Sequence, residues 1–90
     1  MDENIIHIKL NDELDLHAFH PKDVKPILRE FIETAMHKGL EKVRVIHGKG
    51  KSVIRSIVLR ELAKYSEVNE FHEEFNNWGA TIVYLNQKKK

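Results

Sequence analysis

Ninety residues, 41% hydrophobic and 32% charged, suffice for one core and no more, since a chain this short buries only about 60 to 65% of its unfolded surface. No window approaches the roughly 20 apolar residues of a membrane span, and the absence of cysteine excludes disulfides, thiolate metal sites and a cysteine nucleophile. Fifteen basic against fourteen acidic residues leave a net charge of +1, so any site for a polyanion must be local. Met1-Asp2-Glu3-Asn4 lacks the basic and apolar regions of a signal peptide, and the expectation is a soluble, cytoplasmic monomer with no membrane partner.

In chain order, residues 1–12 read as an N-terminal arm or edge strand built on Ile5-Ile6-His7-Ile8-Lys9-Leu10. Glu13-Leu14-Asp15-Leu16-His17 reads as a short strand, and His20-Pro21 interrupts it. From Val24, the positions Ile27, Leu28, Phe31, Ile32, Ala35 and Met36 follow helical spacing with one buried face, and Gly39 is a natural C-cap. Pro26 is best tolerated in a first turn, which predicts a helix starting only shortly before it. Val43, Val45 and Ile46 form a second, β-branched strand, and Ile54, Ile57, Val58 and Leu62 a second amphipathic helix ending near Lys64.

A weaker strand is expected around Val68 to Phe71, then a turn at Asn76-Asn77-Trp78-Gly79 and a last strand over Thr81-Ile82-Val83-Tyr84-Leu85. The order βαβαββ predicts a two-layer α/β sandwich on a mixed four-stranded sheet, parallel where helices connect strands and antiparallel at the final pair. Residues 87–90, ending in Lys88-Lys89-Lys90, read as a basic, solvated tail.

Two strands end alike: Leu14-Asp15-Leu16-His17 and Val45-Ile46-His47, each followed by a loop and a helix. Ligands of open α/β sheets bind beyond the carboxyl ends of parallel strands, where helix N-termini also point. That places His17, His47 and the stretch His47-Gly48-Lys49-Gly50 on one rim. Gly48 and Gly50 permit close backbone approach, and the first turn of the following helix carries partial positive charge suited to a phosphate oxygen. Lys49, Lys51 and Arg55 add cations. The spacing G-x-x-x-x-G-K-[ST] is absent, which disfavours a nucleoside triphosphate.

Asp15 and His17, two apart on a strand, project to the same side. A carboxylate beside an imidazole fixes its tautomer, and a second imidazole, His47, would supply the opposite proton-transfer role at a phosphodiester. The plainer alternative is that Asp15 caps a turn and both histidines merely close their strands; spacing does not decide. A site of Asp15, His17, His47 and His20 would suit zinc or manganese, but no H-x-x-x-H pair fixes two ligands on one element, and no metal ligand is assigned. His7, His37 and His72 read as ordinary surface or strand residues, Tyr84 as packing, and Trp78 as either packing or a base-stacking surface.

LDLH at 14–17, HGKG at 47–50 and Gly79-Ala80-Thr81 followed by Ile82-Val83-Tyr84-Leu85, in this order and at these separations, resemble the Smr (small MutS-related) domain family over about residues 13–86. The resemblance implies a fold similar to the C-terminal domain of translation initiation factor 3. It further implies a nucleic-acid endonuclease or binding module, stand-alone or attached to larger repair, recombination or ribosome-rescue proteins.

Carried over by position, it assigns the catalytic group to Asp15, His17 and His47 and the phosphate contacts to Gly48, Lys49 and Gly50, to which the residues themselves add Lys51 and Arg55. Ala18 stands where the family usually has glycine, and Lys51-Ser52 where it commonly has Thr-Gly.

Two readings result. One is an endonuclease that cleaves RNA or nicks DNA, needing no certain cofactor but accepting a divalent metal such as magnesium or manganese. The other is a non-catalytic module that binds RNA, branched DNA or the ribosome through the same rim. Four glutamates between Glu67 and Glu74 would turn a polyanion away from that side and toward the HGKG rim.

Overall fold

The computed structural model describes residues 12–48, 53–74 and 77–87. The elements run β1 (Glu13–Asp15), α1 (Pro21–His37), β2 (Lys42–Ile46), α2 (Val53–Leu62), β3 (Val68–Glu74) and β4 (Asn77–Leu85). This is the expected βαβαββ order, and the sheet has four strands in the spatial order β1-β2-β4-β3. β1 and β2 are parallel, as strands joined through a helix must be, whereas β4 runs antiparallel to both β2 and β3. The expected N-terminal arm, its His7 and the basic tail at Lys88-Lys89-Lys90 lie outside the described residues.

One face of the sheet meets the helices. Val43 and Val45 of β2 and Thr81, Val83 and Leu85 of β4 point into that layer, where Val24, Leu28, Ile32 and Ala35 of α1 and Ile54, Val58 and Leu62 of α2 are buried. Among the described residues, no helix is long and apolar enough to cross a membrane.

α1 begins at Pro21, earlier than the expected start near Val24. Its N-cap is His20, whose Nδ1 accepts from the Lys22 N–H at 3.3 Å, and Pro21 takes the first helical position, where its missing N–H costs nothing. Pro26 therefore lies inside the helix. The carbonyl it deprives belongs to Lys22; both residues are exposed, so water can satisfy that group. At the other end Gly39 behaves as expected. With φ of 77° it closes a Schellman motif in which its N–H donates to the Met36 carbonyl and the Leu40 N–H to that of Ala35.

The C-terminal hairpin departs from expectation. β4 starts at Asn77, so the predicted turn at residues 77–79 is instead strand, and β3 runs on to Glu74. The polar β3 faces earn their place through cross-strand partners: Arg44 of β2 bridges Glu13 of β1 at 2.5 Å and Glu74 of β3 at 2.9 Å. Tyr84 packs on the ring of exposed His72 at 5.8 Å rather than in the core.

Candidate functional site

The rim is set by the register of β1 against β2, which pairs Leu14 with Val45 and Asp15 with Ile46. The Leu16 N–H extends that ladder to the Ile46 carbonyl at 2.7 Å. One further step places Leu16 opposite His47, and the next places His17 opposite Gly48. His17 already lies in the turn that follows β1, and the two histidines part there, His47 buried and His17 exposed. A Cβ built on Gly48 would lie 3.6 Å from the Cβ of His17, which locates the glycine beside that residue.

His17 is the outward member. Its Nδ1 meets Asp15 Oδ1 at 2.6 Å, and its backbone N–H donates to the same oxygen at 3.1 Å. The two side chains are 61% and 52% exposed. The hydrogen bond from the His17 ring, first among several influences, holds the Asp15 carboxyl below its ordinary value; partial desolvation opposes it, and the His17 backbone N–H and the charges of His17 and Arg44 assist. An ionised Asp15 can only accept, so Nδ1 is the donor in this contact and Nε2 is the ring nitrogen not committed to Asp15. Asp15 and His17 come together as expected, but across a turn rather than along a strand: β1 ends at Asp15, whose carboxylate caps the turn that carries His17.

The expectation of a second exposed imidazole is corrected. His47 is 1% exposed. Its Nδ1 donates to the Gly48 carbonyl at 3.1 Å, and its Nε2 accepts from the Thr81 hydroxyl at 2.8 Å. Burial pushes its pKa down and keeps it neutral, with Arg55 acting in the same direction; the Gly48 carbonyl and Glu73 pull the other way. The likeness of the two strand ends is thus offset by one residue: His47 continues the core face of Val43 and Val45, where its counterpart on the neighbouring strand is the buried Leu16 and not His17.

His47 nonetheless shapes the rim. Its backbone N–H and that of Gly48 both donate to the Gly79 carbonyl, at 2.7 and 2.9 Å. Gly48 adopts φ of 98°, a left-handed conformation that side chains disfavour. A buried ring tied to the Gly48 carbonyl and a strand tied to Gly79 together hold this turn against His17.

Lys49, Gly50 and Lys51 lie outside the described residues. Arg55, expected as a rim cation, forms an ion pair with Glu73 of β3. Among the described residues no three of His, Asp and Glu gather into a group able to hold a metal. Asp15 Oδ1 is paired with His17, both His47 nitrogens are engaged within the fold, and His20 caps α1, so Asp15, His17, His47 and His20, weighed above as donors for zinc or manganese, do not converge on one point.

Sequence reasoning missed Thr81 as the partner of His47. The signal lay in a hydroxyl residue opposite Val45, at the start of an otherwise apolar strand segment. It also missed the exposure of Phe19, two residues beyond His17.

Comparison with known proteins agrees with this architecture. The family model described as the Smr domain matches residues 14–86. The chain is 33% identical over 78 residues to Endonuclease MutS2 of Carboxydothermus hydrogenoformans, covering 83% of this chain and 10% of that protein. It is 32% identical over 72 residues to Ribosome rescue factor SmrB of Yersinia enterocolitica, covering 80% of this chain and 41% of that protein. The chain therefore spans about a tenth of the first relative and two-fifths of the second.

Among solved structures, the Smr domain of Thermus thermophilus MutS2 superposes with a TM-score of 0.78 at 26% identity, covering 83% of this chain and 98% of that one. YdaL of Escherichia coli, a stand-alone small MutS-related protein, gives 0.80 at 28% identity, covering 87% and 66%. With its strand order, its paired motif ends and nearly its whole length accounted for, this chain belongs to the Smr domain family.

Proposed function

We propose that this chain is a phosphodiester-cleaving domain that acts on an RNA strand or nicks DNA, with His17 as its proton-transfer residue and Asp15 as the group that orients it. The observation that carries the reading is the 2.6 Å contact between Asp15 and a well-exposed His17 at the rim. It leaves Nε2 uncommitted to Asp15, the arrangement that suits an imidazole for taking a proton from an attacking hydroxyl or water. Gly48 sits against His17 on the neighbouring strand end, and the sequence supplies Lys49, Gly50 and Lys51 immediately after it for phosphate contacts.

His47 enters as a positioning residue that holds the Gly48 turn through its ring. Arg55 contributes through its pairing with Glu73, which neutralises a carboxylate that acts on His47. The names of the relatives, an endonuclease and a ribosome rescue factor, support nucleic acid, alone or on the ribosome, as the partner class.

One observation favours a second reading. With His47 buried, a single imidazole stands at the described rim, and a binding module that never cleaves would need no more. Labelled single-stranded RNA, structured RNA and supercoiled plasmid, each with and without chelator, separate the two. Product formation that collapses in His17→Ala supports cleavage at this site; tight, salt-sensitive binding without product supports the module.

A further inference from the structure

Among the described residues two large hydrophobic side chains stand in solvent, Phe19 at 40% exposure and Val53 at 63%. Neither lies on a helix face that lost its partner. Phe19 follows the β1 end by two residues beyond His17, and Val53 opens α2, the helix that follows the β2 end. Since β1 and β2 are adjacent and parallel, with His17 and Gly48 side by side, both residues sit on segments leaving one rim. Phe31 and Phe71, by contrast, pack against the core.

The backbone at Phe19 is fixed. Its N–H donates to the Leu16 carbonyl at 3.0 Å in a tight turn, and His20 then caps α1, so the ring is held on a short, hydrogen-bonded connection. The fold thereby keeps an aromatic face out of the core within two residues of the imidazole at the candidate site. Exposed Lys22 and Lys25, in the first turns of α1, lie just beyond it and suit a polyanionic strand.

We propose that Phe19 is a stacking platform for an unpaired base next to the phosphate at His17, and that the domain therefore selects single-stranded segments over continuous duplex. The inference rests on the reading above that the His17 rim receives a phosphodiester. A base inside a duplex has both faces covered by its neighbours and cannot give one to a protein ring; an unpaired base can. With fifteen basic residues nearly balanced by fourteen acidic ones, the chain has little net positive charge with which to hold a strand, so a stacked base is a large part of the recognition available to it.

The test measures dissociation constants by fluorescence anisotropy for the full chain and for Phe19→Ala and Phe19→Trp, with melting curves for each to establish folding. The probes are a single-stranded RNA, a single-stranded DNA of matching sequence, the corresponding duplexes, and single strands with abasic positions. Phe19→Ala is expected to bind the single strands at least about fivefold more weakly, Phe19→Trp at wild-type strength, and wild type to lose its preference on the abasic strands. Whichever single strand responds, RNA or DNA, identifies the source of the base.

Equal binding of single strands by wild type and Phe19→Ala, or an equal loss for strand and duplex, overturns the platform while leaving the His17 site standing. Failure of the wild type to bind any of these probes overturns both.

Discussion

His17 and Gly48 face each other across the parallel pair, with 3.6 Å between the His17 Cβ and the position a Gly48 Cβ would take. That spacing is ordinary contact, so bulk is not what demands glycine. The demand comes from φ of 98°. Gly48→Ala should cost about 1 to 2 kcal/mol in denaturant unfolding through backbone strain, and Gly48→Asn less, because asparagine tolerates the left-handed region. Equal costs would mean that the turn relaxes freely and does not fix the rim.

The buried neutral state of His47 makes stability depend on pH. Its folded pKa lies below the ordinary 6.5, so between those two values the unfolded chain binds the extra proton and acid favours unfolding. Unfolding free energy should fall as pH drops through and below about 6.5, with a slope of at most about 1.4 kcal/mol per pH unit from this residue. His47→Gln should flatten the slope over that window. The depressed carboxyls of Asp15, Glu67 and Glu74 stabilise the fold above their ordinary values of 3.8 and 4.5 and lose that contribution only as pH falls below them, so they do not confound the test. An unchanged slope in His47→Gln would show that the ring is not buried neutral.

Much of this fold was legible because apolar periodicity and β-branching report burial directly. Val43 and Val45, and Leu28 and Ile32, went where their spacing put them. The helix start was misplaced because a proline at the first helical position, Pro21, looks locally like a breaker, while the tolerated interior Pro26 looked like a start. The turn at 77–79 was misread for a similar reason: Asn and Gly have turn propensity, but pairing of β4 with β2 and β3 overrides it.

The candidate site divides the same way. Asp15 with His17 follows from a two-residue spacing that sequence displays, although a turn capped by Asp15, and not a continuing strand, brings them together. The burial of His47 continues the alternation of Val43 and Val45, which share the core face of β2; a histidine after an apolar strand reads as a rim residue although its spacing puts it on that face.

Arg44 bridges Glu13 and Glu74 across three strands and holds both edges of the sheet to β2. Because all three side chains are only partly exposed, Arg44→Ala should lower stability by about 1 kcal/mol, and Arg44→Lys should recover part of it, since lysine cannot reproduce the paired contacts to Glu74. Thermal unfolding of the two variants at low and high salt measures this. Identical midpoints for Arg44→Ala and wild type would remove the network from the account.

Asp15→Asn keeps the shape of the dyad but removes the charge that fixes the His17 tautomer. Cleavage should slow by about tenfold or more while strand binding stays within about twofold. A loss of binding equal to the loss of rate would assign Asp15 to substrate contact instead.

The most direct measurement is the single-turnover rate of cleavage of labelled single-stranded RNA and of nicking of supercoiled plasmid by wild type, His17→Ala and His47→Gln, with folding of each verified by its melting curve. The account predicts a fall of about a hundredfold or more in His17→Ala with binding retained, and a smaller fall in His47→Gln that leaves the shape of the pH profile unchanged. Cleavage by His17→Ala at the wild-type rate, or loss of a pH limb in His47→Gln, would contradict it.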